Sequence, residues 1–106
     1  MTGGQMIVVD DDVELLTEQI EALRELGRRD EVSESQVYDF SIRWGAALSG
    51  RLRRLVHYSR VGALDEAAES RFQSLCAELR SVSDLIERFG IARPRFSDAP
   101  GHPRFR

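Results

Sequence analysis

The sequence predicts an all-α fold: a long antiparallel helical hairpin with a shorter N-terminal helix beside it, as in a three-helix bundle. Three segments repeat apolar residues in steps of three and four, which places them on one face of a helix. No segment alternates apolar and polar residues over a useful strand length. The 106 residues suit one small domain. We expect a helical domain over residues 10–91, a flexible lead over 1–9 and a tail over 92–106.

The first helix is predicted over about residues 11–26. The acidic run from Asp10 to Asp12 lies where a helix N-terminus favours carboxylates, both as caps and against the helix dipole. Gly27 is the predicted end of the helix. Steps of three and four put one apolar stripe on this helix, formed by Val13, Leu16, Ile20 and Leu23.

The second helix is predicted over about residues 34–60, because Ser33 and Gln36 have the spacing of a capping box. Gly45 and Gly50 weaken its middle by about 1 kcal/mol each relative to alanine. We therefore expect a kink there, or the close approach of another helix. The apolar arc of this helix comprises Val37, Phe40, Trp44, Leu48, Leu52, Leu55 and Val56.

The third helix is predicted over about residues 65–89, after a turn at Gly62. Its apolar residues alternate steps of four and three, which is typical of a seam facing another helix. Gly90 followed by Ile91 predicts a glycine stop with a hydrophobic contact back into the helix. The seam consists of Ala68, Phe72, Leu75, Leu79, Val82, Ile86 and Phe89.

The first predicted helix is shorter than the other two, and this difference in length leads to the main functional prediction. A first helix of this length covers only part of the hairpin, so we expect an apolar stripe to remain uncovered on the third helix of a single chain. The predicted interface residues are Phe72, Leu75, Leu79, Val82, Ile86 and Phe89. The sequence therefore predicts a small non-enzymatic interaction module, which forms a homodimer or docks as a subunit or adaptor of a larger complex.

The charge pattern supports an alternative function. All 15 basic residues are arginines, against 18 acidic residues and a net charge of −3. Residues 40–64 hold five arginines and no acid, and residues 91–106 hold four arginines and one acid. The arginines of the predicted anion or nucleic-acid face are Arg43, Arg53, Arg54, Arg60, Arg93 and Arg95. A nucleic-acid-associated helical subunit is thus the alternative. A solvated face, or one paired with the acids of the first helix, explains the same pattern, and the negative total charge argues against generic nucleic-acid binding.

Arg51 differs from these arginines because it falls within the apolar arc of the second helix. A buried arginine needs an acidic partner or a bound anion, so Arg51 marks a candidate buried anion site. The other interpretation places Arg51 at the edge of the arc, with its stem on Trp44 and its head in water.

The remaining residues predict no catalytic site, metal site or cofactor. Cys76 is the single cysteine, which excludes an intrachain disulfide, and its place on the apolar stripe predicts a small hydrophobic residue rather than a nucleophile. The acidic run at residues 10–12 lacks the alternate spacing and the glycine of a calcium loop. No apolar run reaches the length of about 20 residues that a membrane span needs. We expect a cytoplasmic protein without a secretory signal or a membrane partner.

Overall fold

The computed structural model describes residues 8–96, which form helices and no strand. The all-α class is therefore confirmed for this part of the chain. Residues 1–7 and 97–106 lie outside the described residues, and with them most of the predicted lead and tail. In chain order the elements are α1 (Asp10–Gly27), α2 (Glu34–Ala47), a π-helical turn (Leu48–Leu52, the π-turn), α3 (Arg53–Arg60), α4 (Glu66–Ser81) and α5 (Ser83–Phe89).

Helix α1 lies at the centre of the structure. It begins and ends within one residue of the predicted bounds, and its 18 residues make it the longest unbroken helix of the described residues. It packs against α2, the π-turn, α4 and α5. The first predicted helix is therefore the element that the others surround, rather than a short addition to a hairpin. Its N-cap is Val9, which makes no side-chain cap, so the expected capping by aspartate is wrong.

The predicted second helix is divided by the π-turn. Its start is confirmed: the Ser33 hydroxyl accepts a hydrogen bond from the Gln36 amide at 3.2 Å, and the Gln36 side chain accepts one from the Ser33 amide at 3.0 Å. The close approach expected at the two glycines is wrong, because a Cβ added at Gly45 or Gly50 would meet no atom within 4 Å. Gly50 instead lies inside the π-turn.

The π-turn aligns the apolar faces before and after it. Each α-helical residue advances by about 100°, so the buried side chains of residues 40–56 would spread over about 180° in an unbroken helix. One extra residue in a turn sets the later residues back by about 100° and narrows the arc to about 120°. The narrower arc lets both halves face α1. Its members are Phe40, Trp44, Ala47, Leu48, Leu52, Leu55 and Val56.

The predicted third helix breaks at Val82, whose φ of −105° and ψ of 16° are not helical. The Ser81 hydroxyl donates to the carbonyl of Glu78 at 2.6 Å, a local bond that competes with the helical ladder. Valine, being β-branched, adds to this preference against helix. The continuous helix expected from the seam is thus wrong, and α4 and α5 are separate helices.

Helix α5 packs against the C-terminal end of α1. A Cβ added at Gly27 would lie 2.7 Å from Leu85 Cδ2, and Arg88 Nη1 donates to the Gly27 carbonyl at 3.1 Å. The residue after Gly27, Arg28, is right-handed with φ −81°. Gly27 therefore serves close packing against α5, rather than the left-handed stop that the sequence suggests.

The glycine stop of α5 is confirmed. Gly90 is left-handed with φ 65°, and the Ile91 amide donates to the carbonyl of Ile86 at 3.2 Å. Ile91 is 6% exposed, so the chain turns back into the core at this point.

The segment after α5 packs against the helices, where the sequence predicts a tail. Trp44 is 1% exposed, and its indole Nε1 donates to the carbonyl of Ala92 at 2.7 Å. Phe96 is partly buried under the guanidinium of Arg80, whose carbon lies 4.5 Å from the ring centroid. The tail expected from residue 92 is therefore corrected over residues 92–96.

We predict that the π-turn tolerates a deletion better than a regular helix does. Deleting Ser49 should close the π-turn into α-helix and leave the later residues in phase, so the protein keeps a cooperative thermal transition. Deleting Ser74 from α4 should turn part of that helix's buried side chains to solvent and lower the free energy of unfolding by more than about 3 kcal/mol. Circular dichroism melts compare the two exposed serines, and equal losses would contradict the prediction.

Candidate interaction surfaces

The structure places the predicted interface of α4 and α5 inside a single chain. Five of its side chains are at most 4% exposed: Phe72, Leu75, Leu79, Val82 and Ile86. The sixth, Phe89, is half-buried. Because α1 packs against both α4 and α5, it covers the stripe that the sequence leaves open. The expected uncovered stripe is therefore wrong, and these five side chains offer a partner no free surface in this fold.

The buried charged residue among residues 8–96 is Asp12, which is 2% exposed in the first turn of α1. Its Oδ1 accepts a hydrogen bond from Arg51 Nη1 at 2.8 Å, and its Oδ2 accepts one from Arg54 Nε at 2.9 Å. A buried carboxylate is costly unless charged donors replace its water. The two arginines meet that need, and they tie the start of α1 to the π-turn and α3.

Arg51 is therefore not the buried group that the sequence suggests. Its side chain is 49% exposed, and the anion that it binds is the chain's own Asp12. The candidate anion site at Arg51 is thus an internal ion pair whose acid, not its base, is buried. One signal in the sequence identifies Asp12: it lies four residues before Leu16, in phase with the apolar stripe of α1.

The arginines of the π-turn and α3 form an exposed basic face. Gly50, Arg53, Arg54, His57 and Tyr58 line a shallow, open depression on it. The guanidinium carbon of Arg54 lies 4.9 Å from the centroid of the Tyr58 ring. Arg53 is exposed, and no carboxylate of residues 8–96 pairs with it. The structure thus joins Arg53 and Arg54, as predicted, and adds the two rings.

The other predicted members of that face lie on other parts of the surface or at the end of α3. Arg43, which is exposed on α2, has its guanidinium carbon 5.9 Å from the Phe40 ring centroid. Arg93 pairs with Glu87 of α5 at 3.4 Å, on the segment that packs beside α4 and α5. Arg95 is exposed on that same segment. Arg60 is exposed at the end of α3.

A second surface, which the sequence analysis misses, lies on the solvent side of α2. Tyr38 and Ile42 are 65% and 55% exposed, one helical turn apart. Ser35 and Gly45 continue their spacing in steps of three, so these four uncharged residues lie on one side of α2. We call these four residues the outer α2 face. Beside it, a groove between the start of α2 and the end of α5 is lined by Val32, Val37, Tyr38 and Phe89, among others.

The sequence conceals this face because only two of its members are large and apolar. The core arc around Phe40 and Trp44 dominates the periodicity of α2, and Tyr38 and Ile42 lie on the opposite side of it. The spacing of four between two large apolar residues opposite a core arc is the signal that could have shown it.

Cys76 lies in the core and is 2% exposed. Burial raises the pKa of its thiol, because the charged thiolate loses its water. The sequence-based expectation of a small buried hydrophobic residue is consistent with this position.

No family model, no curated protein and no solved structure matches the chain. Within residues 8–96 no three His, Cys, Asp or Glu side chains are grouped so that they could hold a metal ion. The same residues form no helix long and apolar enough to cross a membrane. Similarity to a known protein therefore assigns no function to this chain.

We predict that Asp12 stabilises the fold far more than its neighbour does. In Asp12→Asn the amide nitrogen would face a guanidinium donor, so the free energy of unfolding should fall by about 1–3 kcal/mol. Asp11 is exposed in the same helical turn, so Asp11→Asn should change it by less than about 0.5 kcal/mol. Urea denaturation measures both. Equal effects would mean that only the helix dipole is involved.

We predict that the Cys76 thiol is protected in the native protein. Because burial raises its pKa and shields the sulfur, a disulfide reagent at neutral pH should label it slowly, and quickly once denaturant unfolds the chain. The raised pKa has no effect on stability while the thiol is protonated in both the native and the unfolded state. The free energy of unfolding should decline as pH rises above about 8.5, where the unfolded thiol ionises and the buried one does not. Rapid native labelling would contradict the burial.

Proposed function

We propose that the protein is a non-enzymatic helical interaction module that pairs with a second copy of itself through the outer α2 face. The observation that carries this proposal is the exposure of Tyr38 and Ile42, 65% and 55%, on one side of α2. An exposed aromatic residue beside an aliphatic one, with charged residues around them, is typical of the core and rim of a protein interface. The module predicted from sequence is thus retained, and its binding surface moves from α4 and α5 to α2.

The order of side chains on this face is compatible with twofold symmetry. Consider two antiparallel α2 helices related by a twofold axis that passes at the level of residue 40 along the helix. Tyr38 of one copy then meets Ile42 of the other, and Ser35 meets Gly45. Each contact then occurs twice, as an isologous dimer requires. The two small residues let the helices approach closely, because a Cβ added at Gly45 would meet no atom of its own chain within 4 Å.

The neighbouring groove supplies further surface for this pairing. Val32, Val37 and Phe89 are half-buried along it and extend the apolar area beyond Tyr38. Glu34 and Arg88 lie on the same lining and carry opposite charges. Such a charged pair favours one orientation of a partner over others.

We expect Ile42→Asp to weaken dimerisation at least about 10-fold, because it puts an unpaired charge at the centre of the interface. Val61→Asp is the matched control, since Val61 is 53% exposed at the end of α3, away from α2. Sedimentation equilibrium over a dilution series measures association for the wild-type protein and both variants. Circular dichroism checks that each variant is folded.

Two results would overturn the pairing. A wild-type protein that is monomeric at every concentration has no second copy on this face, and docking to a different protein would then be the remaining form of the module. Equal loss of association in Val61→Asp and Ile42→Asp would mean that the outer α2 face is not the interface.

A further inference from the structure

The surface formed by the π-turn and α3 lies in the most positively charged stretch of the chain. Residues 40–64 contain five arginines and no acidic residue, and all five side chains are exposed. The planar guanidinium fork matches the oxygens of a phosphate better than an ammonium does. We propose that this surface binds the phosphodiester backbone of a nucleic acid. It is a different surface from the outer α2 face, and its binding does not depend on pairing.

The internal ion pairs leave positive charge in excess at this place. Arg51, Arg53 and Arg54 carry three charges, and Asp12 neutralises one of them. The nearby carboxylate of Asp10 pairs with Arg71 of α4. Three guanidinium groups against one carboxylate leave two charges for a ligand.

Asp12 also fixes the guanidinium groups that a ligand would meet. Arg51 gives it one N–H of Nη1, and Arg54 gives it the N–H of Nε. Each guanidinium has five N–H groups, so further donors remain on both side chains. Their exposures of 49% and 42% keep these donors within reach of solvent. Side chains that are already ordered lose less conformational entropy on binding.

The shape of the surface suits a linear polyanion. The depression that Gly50, Arg53 and Arg54 help to line is shallow and open, whereas small-molecule sites are enclosed clefts. Gly50 is exposed, and a Cβ added there would meet no atom within 4 Å. A phosphate backbone can therefore approach the main chain of the π-turn closely.

Two aromatic rings lie among these arginines. The ring centroids of His57 and Tyr58 are 5.7 Å apart, and Arg54 lies over the Tyr58 ring. Basic side chains interleaved with aromatic rings are the combination by which proteins hold single-stranded nucleic acid, because bases stack on the rings. An acidic protein bound at this surface would contact the arginines but would give the two rings no role. We therefore expect a single strand to bind more tightly than a duplex.

The net charge of −3 limits the binding to this face. At physiological salt the repulsion from acidic residues on other faces is screened beyond about 8 Å. A nucleic acid is thus attracted locally and repelled elsewhere, which favours modest, strongly salt-dependent binding.

The test uses the full chain and fluorescence anisotropy with a labelled oligonucleotide, single-stranded or annealed to its complement, over a range of salt concentrations. The variant is Arg53→Ala, because Arg53 is exposed and its loss breaks no ion pair within residues 8–96. We expect about 5–10-fold weaker binding and a salt slope reduced by about 0.7 on the single strand. Arg29→Ala, an exposed arginine beyond the end of α1, should bind as the wild type does.

The outcomes distinguish single-stranded from duplex nucleic acid, and nucleic acid from an acidic polypeptide. Tighter binding to the single strand supports the role of the rings, and equal binding to the duplex supports recognition of the backbone alone. Absence of binding to both probes at low salt overturns the proposal. An equal loss of binding in Arg29→Ala also overturns it, because the binding would then not depend on this surface. Displacement of the probe by poly-glutamate as readily as by unlabelled oligonucleotide overturns it as well, because the surface would then bind any polyanion.

Discussion

The carboxylate of Asp12 is buried at the start of α1, where it forms ion pairs with Arg51 and Arg54. A buried carboxylate without such partners costs several kcal/mol, so the first turn of α1 has one favourable position, against the π-turn and α3. Because α2, α4 and α5 also pack on α1, the position of that first turn determines how all of them meet.

Both proposed surfaces follow from this arrangement. Tyr38 and Ile42 lie on the side of α2 opposite the core arc that faces α1, so most of each side chain is exposed. The π-turn carries Arg51, whose neighbour Arg53 stays outside the Asp12 cluster. The internal ion pair thus orders the basic face while neutralising only part of it. Because the outer α2 face and the basic face lie on separate elements, the two proposed activities would not compete for the same surface.

Local signals in the sequence predicted local structure well. The capping box at Ser33 and the stop at Gly90 depend on residues within a few positions of one another, so their energetics are contained in short segments. Gly45 and Gly50 indicated an interruption of the second helix, but not its π-helical form. The break at Val82 was not predicted, because the apolar seam of the third helix continues through it. Of the candidate basic residues, Arg53 and Arg54 line one depression in the structure, and the charge pattern alone indicated them. Asp12 and the outer α2 face were missed, since each depends on which side of a helix is covered.

The sequence by itself determined the helical class, the helix starts and ends that caps control, the core positions and the concentration of arginine over residues 40–64. These depend on propensity, periodicity and charge, which neighbouring residues define. Only the tertiary structure decided that α1 covers the stripe of α4 and α5, that Asp12 is the anion for Arg51, and that Ala92 accepts from Trp44. Those contacts join residues far apart in the chain. Their free energy exists only when the helices pack together, and so no local pattern records them.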